Sequence, residues 1–439
     1  MPSPPSDALG LYLSVPYCRS KCTFCNFASG VYPASEHARY VDRLIADLAA
    51  ARPWADRMGV HLPRRVDTVY LGGGTPSLLA PELLARLFAD LRAEFDVAPD
   101  AEITVECAPG QLDEPTLEAL VEAGVNRASL GVQSFVDREA AASGRLHNRA
   151  MVLAEIERLR AAGIVNLNVD LIAGLAGQTL DSWAESLAVL ASSGVPHASI
   201  YMLEVDEDSR LGREVLAHGL RYHAAQVPSD DAIAEMYAVA IEKLKQAGLK
   251  QYEISNFSRP GMESRHNLRY WQRRPYLGVG LDASSMLRAS QAANSTGPGP
   301  VLRSTTTGDL QAFFTASEPA EAEWITPAGQ HEEAWFLGLR LNAGVDAAAV
   351  EQEFGAALAA PALDAASRLA EAGLVTRTGA TVRLTDRGQL LANEVFQEFL
   401  DLDAEIAPEK IAGAQVSPLR PGKQRYYAVE LIRNKDRPE

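Results

Sequence analysis

At 439 residues the chain is too long for one ordinary hydrophobic core, so a large α/β domain with a smaller companion is expected. A formal charge of −16 argues against a nucleic-acid partner, because phosphates are met by clustered Lys and Arg; a local basic pocket of Arg269, Arg273 and Arg274 is still compatible with it. No apolar run approaches the roughly 18 residues that span a bilayer, and the opening MPSPPSDALG lacks the basic start and apolar stretch of a signal peptide, so no membrane anchor and a cytoplasmic location are expected.

Residues 1–10 read as a disordered N-terminus. From 11 to 203, short β-rich runs alternate with helical patterns, the signature of βα units around a parallel sheet. Strands are predicted at 11–15, 66–71, 102–106, 127–131, 166–171 and 197–202, and helices near 36–51, 78–94, 114–123, 148–162 and 179–193. Six such units are too few to close an eight-stranded barrel, which predicts a partial (β/α)6 TIM barrel. Residues 204–324 form a less regular extension, with a helix near 229–247 and a Gly, Ser and Pro rich loop at 289–300. A second domain is expected over 325–400: helices at 327–341 and 363–373, then a two-stranded wing at 374–388 turning at Gly379 and Ala380, together a small, helical, winged-helix-like unit. Such a unit serves either as a structural or docking module or as a DNA reader, and the acidity of 394–409 favours the former. Residues 401–439 are assigned to a C-terminal tail.

Three of the four cysteines, Cys18, Cys22 and Cys25, follow the first strand as C-x3-C-x2-C in PYCRSKCTFCNF. Such crowding suits a reduced compartment rather than structural disulfides. A structural zinc site would need a fourth ligand, such as a distant His or Cys107, and a redox pair would leave Cys18 without a role. A 4Fe-4S cluster uses three thiolates and leaves one iron open, where S-adenosylmethionine (SAM) can bind through its amino and carboxylate groups. One electron from such a cluster cleaves a C–S bond of the sulfonium, chemistry that belongs to the cofactor. Phe24, between the last two cysteines, can shield the cluster from water.

GGGTP at 72–76 ends the second strand. Its glycines permit close backbone approach to SAM's charged methionyl end, although a tight strand-to-helix turn alone would explain them. Polar residues end later strands: Glu106 in VECAP, Gln133 in GVQSF and Asp170 in NVDLI. Each alone reads as a helix cap or surface group, but recurrence at one rim points to a shared pocket. Cys107 is read as a buried core cysteine.

Together with GRLH (144–147), NVDLIAGLAGQT (168–179) and YEISNFSRPG (252–261), these motifs resemble the oxygen-independent coproporphyrinogen III oxidase-like radical-SAM proteins from about residue 11 to 400. The resemblance implies a partial TIM barrel with a small helical domain. By residue-wise match it implies that Cys18, Cys22 and Cys25 ligate the cluster and that Tyr12, Gly73 and Glu106 contact SAM. Phe24, Gly74, Thr75, Gln133, Arg145 and Asp170 match positions around a second SAM in the oxidase branch.

Two branches of the group are distinguished in the sequence. The oxidase typically has an N-terminal extension and a further cysteine two residues after the last ligand; here Cys18 comes early and Phe27 stands at that position. HemW-type heme chaperones typically carry HNxxYW, matched by His266, Asn267, Leu268, Arg269, Tyr270 and Trp271. That match implies bound heme, with His266 as an axial ligand, Tyr270 and Trp271 on the porphyrin face and nearby arginines at the propionates. The plainer reading is that His266 hydrogen-bonds in a packed loop and Trp271 is core. After YLGVG (276–280) the chain reads Leu281-Asp282-Ala283, where chaperones often have Gly-Ala-His. The expected function is a heme chaperone that binds cluster, SAM and heme and delivers heme to acceptor hemoproteins, with an electron donor such as a flavodoxin or ferredoxin. The alternatives are an oxygen-independent coproporphyrinogen III oxidase and a radical-SAM enzyme acting on heme itself.

Overall fold

The computed structural model describes residues 8–290, 298–316 and 319–400. The predicted leader before Ala8, most of the loop at 289–300 and the tail at 401–439 fall outside the described residues. Leu9 and Gly10, expected in the leader, instead open the first strand, because Leu9 is fully buried in the core.

The βα alternation appears in the order predicted. Strand β1 (Leu9–Val15) is followed by α1 (His37–Met58), β2 (Arg65–Gly73), α2 (Pro81–Glu94), β3 (Asp96–Cys107) and α3 (Glu114–Glu122). Then come β4 (Arg127–Gln133), a short α4 (Asp137–Ala142), α5 (Arg149–Ala161), β5 (Asn166–Ala173), α6 (Leu180–Ser193) and β6 (His197–Met202). Helix starts follow local chemistry: Asp113 and Asn148 accept the N–H groups of Thr116 and Met151, and Thr179 closes a capping box with Ser182.

The extension belongs largely to the same sheet. It supplies α7 (Arg210–Leu216), α8 (Asp230–Gln246), β7 (Lys250–Gln251), β8 (Asn256–Ser258) and α9 (Arg265–Trp271). Then follow β9 (Tyr276–Gly280), β10 (Ser284–Arg288), β11 (Val301–Thr305), α10 (Leu310–Thr315) and β12 (Glu321–Ile325). Among the described residues the strand order is β12-β11-β10-β9-β1-β2-β3-β4-β5-β6-β8-β7, an open sheet whose end strands β12 and β7 do not pair with each other. Strands β1 to β6 run parallel, and β9 adds a further parallel strand on β1, with Tyr12 opposite Gly278. The partial barrel therefore has one more parallel strand than six βα units supply.

A parallel strand covered on both faces by apolar groups reads as a continuous hydrophobic run. These strands alternate instead. Leu11, Leu13, Val69, Leu71, Ile103, Val105, Leu130, Val169 and Ile200 join the hydrophobic core shared with the helices. The intervening Tyr12, Tyr70, Glu106, Arg127, Ser129, Asp170 and Ser199 share the other, inner face, as the pairings Tyr12–Tyr70, Glu106–Ser129 and Asp170–Ser199 require. Polar groups on that face are thus directed away from the apolar core.

Residues 325–400 make up most of a second compact unit, which also includes Trp271–Arg273. It contains α11 (Pro327–Leu339), β13 (Val345–Asp346), α12 (Ala347–Phe354), α13 (Ala356–Glu371), β14 (Val375–Thr378), β15 (Thr381–Leu384), α14 (Asp386–Leu390) and α15 (Ala392–Gln397). The β14–β15 hairpin is the predicted wing, turning at Gly379 with φ 61°, and the sheet order is β13-β15-β14. Trp335 stacks on Phe399 with centroids 4.9 Å apart, and α13 buries Ala362, Ala365 and Ala366 in the same unit.

Candidate functional site

The cysteine loop springs from the C-terminal end of β1 and is closed by Cys18 N–H to the Gly30 carbonyl and Gly30 N–H to the Pro16 carbonyl, both 2.9 Å. Lys21 Nζ ties it internally, donating to the carbonyls of Phe27 at 2.9 Å and Ser29 at 2.8 Å. Cys22 is buried, whereas Cys18 and Cys25 are half-buried. Burial raises the pKa of the Cys18 and Cys25 thiols, an effect the Ser29 hydroxyl partly offsets. Without a cation Cys18 and Cys25 therefore stay neutral thiols. Among the described residues no group of three His, Cys, Asp or Glu side chains is placed to hold a single metal ion. Cys107 faces the helices in the core, where burial drives its thiol up to about 12.

The glycines after β2 have a structural reason as well as a ligand-binding one. Gly74 N–H donates to the Val15 carbonyl at 2.8 Å and Thr75 N–H to the Tyr17 carbonyl at 2.7 Å, so the cysteine loop lies directly on this turn. A Cβ at position 74 would stand 2.6 Å from the Tyr17 carbonyl oxygen. Gly73, at φ 105°, turns its N–H to Glu106 Oε2 at 3.0 Å.

Glu106 accepts a second hydrogen bond from the Tyr70 hydroxyl at 2.9 Å, and the Tyr12 ring lies 6.1 Å from that of Tyr70. Burial pushes Glu106 up to about 7, with the Tyr70 hydrogen bond opposing and the Asp170 carboxyl adding to the shift. Asp170 is also raised by burial, while Ser129 Oγ at 3.2 Å and Asn168 Nδ2 at 2.7 Å donate to it. Gln133 ends β4 in the left-handed region, at φ 69°. Its amide and the Arg145 guanidinium both lie against Gly131. Arg145 donates to the Gly131 carbonyl and, at 3.4 Å, to Cys22 Sγ. Phe24 is half-buried between Cys22 and Cys25. Gly74, Thr75 and Arg145 thus meet the cysteine loop directly, while Glu106 joins Tyr70 to Gly73, with Tyr12 against Tyr70 and Asp170 held by Ser129 and Asn168 on the same inner face.

His266 lies against the middle of β2, its ring 5.3 Å from that of Tyr70. Its ring nitrogens lie 2.9 Å from Thr68 Oγ1 and 2.8 Å from the Tyr270 hydroxyl, and the side chain is buried. In this conformation both ring nitrogens have hydroxyl partners, the arrangement that the plainer reading of a packed loop describes. The proposed basic pocket is absent as such: Arg269 and Arg274 both pair with Asp67, and Arg273 pairs with Glu353 at 2.6 Å. The Trp271 ring is covered by the Arg340 guanidinium, 4.2 Å from its centroid, within the second unit.

Residues that sequence reading missed lie below the rim on the inner face. Arg127 is buried with its Nε lacking a hydrogen-bond partner, and His197 bridges Asn168 Oδ1 at 2.6 Å and the Tyr252 hydroxyl at 2.9 Å. Their signal was the strict alternation of polar residues along β4 and β6.

A parallel sheet with a three-cysteine loop and a glycine turn at its C-terminal rim defines a radical SAM protein, and the Radical SAM superfamily profile matches residues 12–190. That superfamily implies a 4Fe-4S cluster and SAM. The HemN C-terminal domain profile matches residues 325–391. Heme chaperone HemW of Bacillus subtilis is 33% identical over 395 residues, 89% of this chain and 98% of that protein. The Lactococcus lactis heme chaperone HemW is 31% identical over 389 residues, 89% of this chain and 96% of the other. Coproporphyrinogen III oxidase (HemN) of Escherichia coli has the same fold, with a TM-score of 0.75 at 23% identity over 89% of this chain and 90% of the other. The chain belongs to the HemW family.

Proposed function

We propose that this protein is a heme chaperone that holds a 4Fe-4S cluster and SAM at the barrel rim and passes heme to acceptor hemoproteins. The observation that carries the reading is likeness to HemW proteins along nearly the whole chain, reinforced by Phe27 at the position where the oxidase branch has a further cysteine.

Cys18, Cys22 and Cys25 would hold the cluster, and the donor set fits: three thiols on one loop, with Cys107 sequestered in the core. When bound, the cluster supplies one electron at a time and an open iron for SAM. The rest of the work belongs to the chain. Arg145 places a guanidinium against Cys22 Sγ, where it would face the cluster. Glu106, Tyr12 and the backbone of Gly73 to Thr75 would position the methionyl end of SAM, and Gln133 and Asp170 would bound the rest of the pocket. Glu106 stands near its midpoint at neutral pH, so it can hold or release a proton beside that cation. Among the described residues no helix is long and apolar enough to cross a membrane. Four free cysteines accord with work in a reducing cytoplasm, with an electron donor such as a flavodoxin or ferredoxin and an acceptor hemoprotein as partners.

The test is anaerobic reconstitution, loading with hemin and mixing with an apo-hemoprotein. Transfer of heme to the acceptor supports the chaperone reading. Conversion of coproporphyrinogen III to protoporphyrinogen IX over many turnovers, with SAM and reductant, would overturn it in favour of the oxidase.

A further inference from the structure

A cation enclosed by protein without a partner is costly, so a buried guanidinium that nothing meets calls for an anion. The inner face of the sheet holds such a group. Arg127 opens β4 and is 1% exposed, yet among the described residues no hydrogen bond or ion pair reaches its guanidinium. The face does not lack acids. Glu102 accepts the N–H groups of Arg265 and His266, Glu106 accepts from Tyr70 and Gly73, and Asp170 accepts from Ser129 and Asn168. Each is committed to other donors, and none pairs with Arg127.

The neighbours across the sheet show the same deficit. In the strand registers Arg127 stands opposite Thr104 of β3 and Asn166 of β5, so the three side chains share one layer of the inner face. In each of them a buried polar atom lacks a partner: Thr104 Oγ1, Arg127 Nε and Asn166 Oδ1. Buried polar atoms are nearly always paired, so three adjacent orphans on consecutive strands mark a place where a ligand supplies the partners. The layer lies two residues, roughly 6–7 Å, further from the rim than Glu106 and Ser129. Tyr70, Glu106, Asp170, His197, Tyr252 and His266 all lie within electrostatic reach of the guanidinium, which therefore projects into the interior bounded by β2, β3, β5, β6 and α9.

Water can take the hydrogen bond of Nε but leaves the charge unbalanced. A carboxylate does both. Its two oxygens match the guanidinium fork, Thr104 Oγ1 can donate to it, and Asn166 Oδ1 remains for a hydroxyl or N–H of the same ligand.

We propose that Arg127, with Thr104 and Asn166, forms a carboxylate-binding site inside the barrel, beneath the SAM pocket. A porphyrin propionate and the carboxylate of a small organic acid offer the same chemistry. The site follows from this chain's own residues, and only the porphyrin source rests on the heme reading above.

The experiment compares the reconstituted full chain with its R127M and R127K variants, using sodium propionate, the neutral isostere propionamide, hemin and hemin dimethyl ester as probes. Melting temperature reads the small probes and Soret titration reads the porphyrins. A rise in wild-type melting temperature with propionate and not with propionamide, lost in R127M, establishes the site for a small acid. Hemin binding at least about fivefold weaker in R127M, with the wild type alone preferring hemin to its ester, establishes it for a propionate of the porphyrin. Without any probe R127M should melt no lower than wild type, because an unbalanced buried cation has been removed. Should R127M fail to fold, R127K keeps the charge but loses the fork, and its responses should be weakened in the same way. Variants that respond to every probe as the wild type does would overturn the proposal, as would a wild-type chain that distinguishes neither propionate from propionamide nor hemin from its ester. Failure of the wild type to bind hemin at all would overturn the chaperone reading, and the propionate comparison would still decide the site.

Discussion

Glu102 Oε1 accepts the backbone N–H of His266 at 2.9 Å, and its Oε2 accepts that of Arg265 at 3.0 Å. A carboxylate on the inner face of β3 thereby caps the first turn of α9, satisfying two donors that no helical bond can reach. Glu102→Ala leaves both N–H groups without an acceptor in a buried site, at a cost of about 3 kcal/mol, while Glu102→Gln retains part of the cap and costs about half as much. Urea unfolding of the three proteins measures this. Equal stability of Ala and Gln variants would show that the cap is unimportant.

Gly74→Ala should damage the cysteine loop without touching a cysteine. The new Cβ would meet the Tyr17 carbonyl oxygen at 2.6 Å, and that atom also accepts the Thr75 N–H. The backbone cannot move aside cheaply, so a loss of about 1–3 kcal/mol and a reduced iron and sulfide content after reconstitution are expected. Full cluster occupancy with wild-type melting would show that the crossing tolerates a side chain.

Arg145 is expected to tune the cluster. A cationic donor to Cys22 Sγ stabilises the added negative charge of the reduced state. Arg145→Met should therefore shift the midpoint potential to more negative values. An EPR-monitored redox titration reads the shift, and a potential unchanged or raised would remove Arg145 from the site.

His266→Ala should act on stability. The substitution strips the Thr68 and Tyr270 hydroxyls of a buried partner, at a cost of about 1–3 kcal/mol. Urea unfolding of the variant and wild type measures the loss. Wild-type stability in the variant would show that the two hydroxyls find other partners.

The sequence made the sheet and its rim legible through local pattern. Asn168, Val169, Asp170 and Leu171 alternate between the inner face and the core, and the same period places Glu106 and Gln133 at strand ends. Long-range placement was not legible. His266 meets Thr68 across 198 positions of sequence, and no local signal says which end of a barrel a seven-residue helix will cover. Strand β9 escaped notice because Gly278 and Gly280 interrupt it. Yet Gly280, at φ 104°, is needed where a Cβ would lie 2.3 Å from the Ser14 carbonyl oxygen. Alternation along β4 and β6 marks Arg127 and His197 as facing one side of the sheet, but which partners they meet there depends on strands brought together from distant parts of the chain.

Glu106 should make the protein's stability and its SAM affinity depend on pH in opposite senses. Burial raises its carboxyl from 4.5 to about 7 in the folded, cofactor-free chain, despite the Tyr70 and Gly73 hydrogen bonds. Between those values the folded state keeps a proton that the unfolded chain has released, so this contribution to stability falls as pH rises through 7. Glu106→Gln is neutral throughout. The variant should therefore gain melting temperature relative to wild type at pH 8.5 and show a smaller gain, or none, at pH 5.5. SAM carries an amino cation and a sulfonium, so wild-type affinity should increase as the carboxylate forms, whereas the variant should bind more weakly at pH 8.5 with a flatter profile. Calorimetric melting and equilibrium SAM binding at the two pH values test both statements. An equal difference between the two proteins at both pH values would show that Glu106 does not titrate in this range.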